Sequence, residues 1–223
     1  MSAPPFEFRD FPQECASAIS YASAGKRALD LVLLMLMSPV ILPVMVLLLL
    51  VTALTGGTPL YSQDRVGQDG HVFRCWKVRT MVCNADRVLH DLLASDPALA
   101  AEWGHKQKLS NDPRITRIGA LLRRSSLDEL PQLWNVLNGT MSLVGPRPFL
   151  PAQRTLYLSG SADAPYYRMR PGLTGLWQIS KRSKGTFAER AVYDGEYSQS
   201  ISLGSDLGIL LRTFAVVLRG TGV

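Results

Sequence analysis

From Ala28 to Thr55 the chain carries one ionisable residue, Asp30, and no other stretch limits its fold so tightly. A straight helix over residues 31–55 would measure about 38 Å, against a hydrocarbon core of about 30 Å. The segment is therefore long enough to cross a bilayer. It lies too far from Met1, runs too long and lacks a small-residue cleavage site, so it does not read as a cleaved signal peptide.

Ser38-Pro39 and Pro43 interrupt the segment. Proline removes a backbone donor and presses on the carbonyl four residues earlier. In lipid the freed carbonyls of Met35 and Pro39 need a partner, and the Ser38 hydroxyl is placed to help. A break at Pro39 would leave arms of about 18 Å and 26 Å, each too short to cross alone. Lys26-Arg27 stand before the segment and a basic domain follows it, and positive charge favours the cytoplasmic side at both ends. A re-entrant helical hairpin, entering and leaving by one face, satisfies that pattern better than a span. An ordinary proline-kinked transmembrane helix stays open as the alternative.

Charge locates the partner class. Before Gly56 there are three basic residues (Arg9, Lys26, Arg27) and four acidic ones (Glu7, Asp10, Glu14, Asp30). That leaves 21 of the 24 basic and 14 of the 18 acidic residues beyond it, a net of +7 where the whole chain has +6. Such a domain suits an anion: a phosphate-bearing substrate, a nucleic acid or an acidic membrane surface. Cys15, Cys75 and Cys83 form no C-x-x-C pair, which argues against a disulfide scaffold or zinc ribbon and fits a reducing compartment. His71, His90 and His105 are scattered.

The expected fold class is α+β, mainly helical. Residues 1–24 read as a flexible tail, 25–56 as the membrane segment and 57–223 as a cytoplasmic or interfacial domain. After Gly56-Gly57, a β-hairpin is expected with its turn at Gly67 to Gly70 and Val72, Phe73, Trp76 and Val78 as strand formers. Asn84 is placed to cap a helix through Ser95, and a shorter helix follows Pro97. Another helix leads to Arg123-Arg124, and one more runs from Ser126 to Asn138, stopped by Gly139. Gly145 to Gly175 reads as mostly loop. Ser205 to Arg219 reads as an apolar helix closed by Gly220, either core or lying in the membrane interface.

The densest polar constellation is Arg123-Arg124-Ser125-Ser126-Leu127-Asp128-Glu129-Leu130-Pro131. Ser126-x-x-Glu129 matches a capping box, in which the acids only start a helix. The same acids beside two arginines, at a helix start that attracts phosphate, would also serve as metal ligand or nucleophile. Two further basic clusters favour phosphate: Lys77 and Arg79, which alternation along a strand points the same way, and Arg147, held in the stiff turn Gly145-Pro146-Arg147-Pro148. G-x-x-x-x-G-K-[ST], strand-linked G-x-G-x-x-G and H-E-x-x-H motifs are absent, which argues against a P-loop ATPase, a dinucleotide oxidoreductase and a zinc protease.

Leu127 to Pro148, LDELPQLWNVLNGTMSLVGPRP, resembles the core of the bacterial sugar transferases, the monotopic phosphoglycosyl transferases. The likeness extends through KRALD at Lys26, the Ser38-Pro39 break, KVRTM at Lys77, DPRITRIGALLRR from Asp112 and RPGLTGLWQIS from Arg170, covering Gly25 to Gly220. In length and run it is similar to the exopolysaccharide-initiating galactosyl- and glucosyl-phosphate transferases. One departure stands out: where many members continue with Gly-Arg-Asn, this chain has Lys181-Arg182-Ser183-Lys184, which unsettles assigning the hexose by similarity.

The resemblance implies a re-entrant helix bent at Ser38-Pro39 in the bacterial inner membrane, with the catalytic domain on the cytoplasmic face. It implies transfer of a hexose-1-phosphate from a UDP-sugar to undecaprenyl phosphate, releasing UMP. The expected route is Mg²⁺-dependent attack by Asp128, which is also the metal-associated residue, through a phosphosugar-aspartate. Glu129 is the expected acid/base partner, and Arg147, with Lys77, Arg79, Arg123 and Arg124, would contact phosphate. Lipid is an expected partner, nucleic acid is not, and the oligomeric state, including a homodimer, is left open. The competing class is a non-catalytic membrane scaffold that binds acidic lipid.

Overall fold

The computed structural model describes residues 21–54, 56–106, 109–157, 164–180 and 187–218. A π-helical turn at Tyr21–Gly25 leads straight into helix α1, Lys26–Ala53. Residues 21–24 therefore belong to the folded chain rather than to a tail, and the rest of the expected tail lies outside the described residues. Pro39 and Pro43 sit inside α1, which is one helix and not two arms joined by a break. The Ser38 hydroxyl donates to the Met35 carbonyl at 2.8 Å, replacing the bond that Pro39 cannot make. The stretch 21–53 has a mean hydropathy of 2.8 over its most apolar window, and Met35, Leu36, Val40, Leu47 and Leu50 stay well exposed. Helix packing does not cover that surface, as expected if lipid does.

The β-hairpin expected after Gly56-Gly57 forms. Strands β1 (Leu60–Val66) and β2 (Val72–Val78) pair antiparallel, with Leu60 opposite Val78 and Val66 opposite Val72. Helix α2 (Ala85–Ser95) starts after Asn84, but Asn84 is left-handed (φ 62°) and its side chain caps nothing. Helices α3 (Pro97–Lys106) and α4 (Arg117–Ser125) follow. Thr116 caps α4 by accepting from the Gly119 N–H at 2.9 Å. A side chain at Gly119 would meet the Thr80 carbonyl oxygen at 2.0 Å, so only glycine lets α4 lie this close to the chain leaving β2.

The helix expected from Ser126 to Asn138 is divided. A 3₁₀ turn covers Leu127–Glu129, and helix α5 begins at Gln132 and ends at Leu137. Pro131, which has no N–H to donate, stands at the junction. Gly139 (φ 84°) ends the run, as its position implied. The region read as mostly loop contains two short parallel strands, β3 (Ser142–Val144) and β4 (Gly172–Thr174), and 3₁₀ turns at Pro151–Leu156 and Pro165–Arg168. Helices α6 (Leu176–Ser180), α7 (Arg190–Gln199) and α8 (Leu203–Leu218) complete the described chain. Lys181 to Lys184 and Gly220 lie outside it.

Two apolar clusters hold these elements. Leu133 and Val136 of α5, Leu143 and Val144 of β3 and Ile209 of α8 form one, against which Leu33, Leu34 and Ile41 of α1 pack. Phe149, Tyr157 and Tyr166 form the other with Val66 and Ala191. Helix α8 contributes to the core through Asp206 and Ile209, while Leu211 and Phe214 are exposed.

The base of α1 is tied to the domain by KRALD. Lys26 Nζ reaches Asp206 Oδ2 at 2.5 Å and the Tyr197 hydroxyl at 2.8 Å. Arg27 donates to the carbonyls of Val136 (2.5 Å) and Leu137 (2.7 Å), closing the end of α5. Buried Asp30 accepts the Leu143 N–H at 3.0 Å. The sequence suggested only flanking positive charge for Lys26 and Arg27.

Candidate active site

Ser126 bears on the capping reading of the acidic pair. A helix N-cap needs extended backbone, whereas Ser126 is left-handed at φ 58° and its side chain caps nothing. Its N–H instead bonds the Arg123 carbonyl at 3.1 Å, closing α4 in the manner of a C-terminal cap. The capping box is not formed. The tight turn that replaces it carries Asp128 into the interior and turns Glu129 towards β2 and the Gly145–Pro148 turn.

Glu129 Oε1 accepts from Lys77 Nζ at 2.7 Å and from Arg147 Nη2 at 3.1 Å. Burial alone would raise its pKa, but the Lys77 ammonium and the Arg147 guanidinium outweigh that and hold the carboxyl far below its usual range. Reciprocally, Glu129 raises the pKa of Arg147 despite burial. Backbone packing fixes Arg147: a Cβ at Gly145 would stand 2.4 Å from the Arg170 carbonyl oxygen, and Gly145 N donates to Thr174 O at 2.8 Å.

Asp128 is 6% exposed, and its carboxylate takes no hydrogen bond from the described residues. Burial pushes its pKa up, and the Glu129 charge adds to this, while Lys77, Arg123 and Arg147 pull it down. Arg123 is positioned by the Thr80 hydroxyl, to which its Nε donates at 2.9 Å. Four of the expected residues besides Asp128 thus share this neighbourhood: Glu129, Lys77, Arg147 and Arg123.

The other two do not. Arg124 is exposed on α4, pointing to no described partner in the cleft. Arg79 lies one residue past the end of β2, where strand alternation no longer sets direction, and its guanidinium binds the Gly56 carbonyl at the exit of α1.

A small, open cleft beside Glu129 contains residues the sequence did not single out. Arg65 of β1, buried Cys75 and Gln132 line it with Lys77, Arg147 and Pro148. Arg65 donates to the Pro148 carbonyl at 3.2 Å and to Gln63 Oε1 at 2.8 Å, without a carboxylate partner among the described residues. Period-two counting back from Lys77 and across the hairpin register would have found it. Among the described residues no three Asp, Glu, His or Cys side chains converge on one point. A divalent ion here fits the hard-cation pattern of one or two carboxylates completed by water and substrate oxygens, with Asp128 as the unbonded donor.

The domain sets a carboxylate pair among cations and carries, among the described residues, one helix long and apolar enough to cross a membrane. The bacterial sugar transferase family model matches residues 21–220, and the chain belongs to that family. It is 47% identical over 198 residues to the UDP-galactose-lipid carrier transferase of Erwinia amylovora, covering 88% of this chain but 41% of that protein. Against exopolysaccharide production protein ExoY of Rhizobium meliloti it is 42% identical over 215 residues, covering 95% of this chain and 93% of its relative. Against the UDP-glucose:undecaprenyl-phosphate glucose-1-phosphate transferase of Caulobacter vibrioides it is 40% identical over 200 residues, covering 86% and 69%.

Proposed function

We propose that this chain transfers a hexose-1-phosphate, of galactose or glucose type, from a UDP-sugar to undecaprenyl phosphate and releases UMP, the first step of an exopolysaccharide repeat unit. The observation that carries the reading is the clamp of Lys77 and Arg147 on Glu129 beside a buried Asp128 that takes no hydrogen bond from the described residues. A helix cap would need none of these cations. The names of the Erwinia and Caulobacter relatives supply the substrate class.

In the reaction, an Asp128 carboxylate oxygen attacks the sugar-bearing phosphorus. The P–O bond to the nucleotide breaks, and its electron pair leaves on the UMP oxygen. The acyl phosphate then passes its group to the lipid phosphate, so a soluble donor and a lipid acceptor use one site in turn. Lys77, Arg123 and Arg147 stabilise charge that spreads over the phosphoryl oxygens. Asp128 would hold Mg²⁺, which when bound neutralises phosphate charge. A carboxylate as firmly ionised as Glu129 is a weak base, so we assign it first to orienting Lys77 and Arg147 and only then to proton transfer.

Re-entry of α1 is part of the proposal. Its N-terminal end is held by Val136, Leu143 and Asp206 and its C-terminal exit by Arg79, all in one domain. A span would set those ends about 30 Å apart on opposite faces.

The test is Asp128→Asn, which keeps shape while removing the nucleophile. With Mg²⁺ and the right UDP-sugar but no lipid acceptor, wild type should form a hydroxylamine-sensitive adduct at Asp128 that discharges onto undecaprenyl phosphate. The Asn variant should fold, form no adduct and release no UMP. Wild-type turnover in Asp128→Asn would sink the covalent route. Lipid binding that needs neither nucleotide nor Mg²⁺, with no UMP from any UDP-sugar, would favour the scaffold.

A further inference from the structure

The clamp on Glu129 leaves part of the local positive charge unanswered. Arg65 and Arg190 form no ion pair among the described residues; Arg65 rests on the Gly145–Phe149 segment that carries Arg147, and Arg190 reaches that segment through Phe187. Arg65 donates to Pro148 O, and its neighbour Val66 bonds Phe149 O at 2.9 Å. On the other side the Phe149 ring meets Phe187 edge-on at 6.0 Å, and the Arg190 guanidinium lies 4.7 Å from Phe187 and 4.3 Å from Trp177.

Two aromatic rings thus hold the Arg190 guanidinium and restrict its rotamer freedom before any ligand arrives. Burial and then the charge of Arg147 lower the pKa of Arg190 to about 10, and the same two causes lower that of Arg65. Arg190 Nε and Trp177 Nε1 are buried donors without a partner. Grouping three guanidiniums at one turn is costly unless an anion shares them, and a planar fork suits phosphate oxygens.

We propose that Arg65 and Arg190, flanking Arg147, form the subsite for the phosphate that departs with the nucleotide. The inference rests on the transfer reaction above and divides the diphosphate: the sugar-bearing phosphate lies at Asp128, the leaving one at the arginine cluster. When the bridging P–O bond breaks, its electron pair stays on the departing oxygen and UMP leaves as a dianion. The two arginines receive that charge and therefore set how tightly UMP is held.

The experiment measures UMP binding to the full chain in nanodiscs, with uridine as the phosphate-free probe, alongside UMP inhibition of turnover. Arg65→Gln and Arg190→Gln should each weaken UMP at least tenfold, with uridine affinity unchanged. Arg190→Lys should rescue charge without the fork and recover only part of the loss. If removing the ring-stacked Arg190 prevents folding, Arg65→Gln decides alone. UMP affinity within twofold of wild type in the folded variants overturns the subsite, as does a wild type that binds UMP no better than uridine. Active wild type with unchanged UMP inhibition in the variants sinks the subsite and spares the reaction. UMP binding that responds to both arginines without turnover sinks the reaction and spares the subsite.

Discussion

One oxygen of Glu129 satisfies two cations, while Asp128, its neighbour in sequence, satisfies none by hydrogen bond among the described residues. Their surroundings push the pKa values of these adjacent carboxyls in opposite directions. A third carboxyl shows how far burial can go on its own. Asp194 is 4% exposed and accepts the Tyr157 hydroxyl at 2.7 Å. Burial raises its pKa from 3.8 to about 7, against the opposing pull of that hydrogen bond and of the Arg190 charge. The folded state therefore binds a proton that the unfolded chain has already released between these two values. Stability falls as pH rises through that window, by roughly 1.4 kcal/mol per unit at its steepest, and levels off above the upper value. Asp194→Asn should remove this dependence. Melting temperatures of wild type and variant between pH 5 and 8.5 should diverge in slope, and parallel curves would mean Asp194 is ionised throughout.

At the scale of elements, α5 is only Gln132–Leu137, too short to be stable alone, and it is held by its neighbours. Buried Asn135 accepts the Trp76 N–H at 3.1 Å and donates to Arg74 O at 2.7 Å, fastening α5 to the edge of β2. Asn135→Ala would strand a strand N–H and carbonyl together, so it should cost on the order of 2–4 kcal/mol and loosen Lys77 from Glu129. A thermal melt of the purified chain measures the first, and UMP release the second. None of these contacts was legible in the sequence, because the partners of Asn135 lie about 60 positions away. The hairpin was legible, since period-two residues flanked a Gly-bounded turn. The short β3–β4 ladder was not, because three residues are too few to show a period. Ser126-x-x-Glu129 misled for a different reason: the spacing matches a capping box, but a positive φ at Ser126 leaves no mark on composition. Lys77, Arg147 and the Asp-Glu pair were found because each stood in an unusual local context, whereas Arg65 and Arg190 look like ordinary surface charges until the chain is folded.

At the scale of the molecule, α1 is not an anchor hung from one end. Tyr21, Lys26 and Tyr197 converge on Asp206, Arg27 closes α5, and Arg79 takes the carbonyl of Gly56. The domain grips the helix on entry and on exit, and the apolar faces of α1 and α8 are left exposed between and beside these grips. A straight helix of 28 residues would carry its ends about 42 Å apart. Pro39 and Pro43 remove backbone bonds midway, where a bend would bring the ends back towards one face. This leads to a topological expectation. In a Cys15→Ser, Cys83→Ser background, where the remaining Cys75 is buried, Ser23→Cys and Thr58→Cys would each place one thiol at an exposed position beside an end of α1. Both should resist an impermeant thiol reagent in intact cells and react after permeabilisation. Pro39→Ala restores the missing N–H and favours a straighter helix, so in that background Ser23→Cys should become reactive from outside in a measurable fraction of molecules. Labelling of Ser23→Cys from outside without the proline change would mean that α1 crosses the membrane, and the contacts of Lys26, Arg27 and Asp30 with the domain could not then persist in the bilayer.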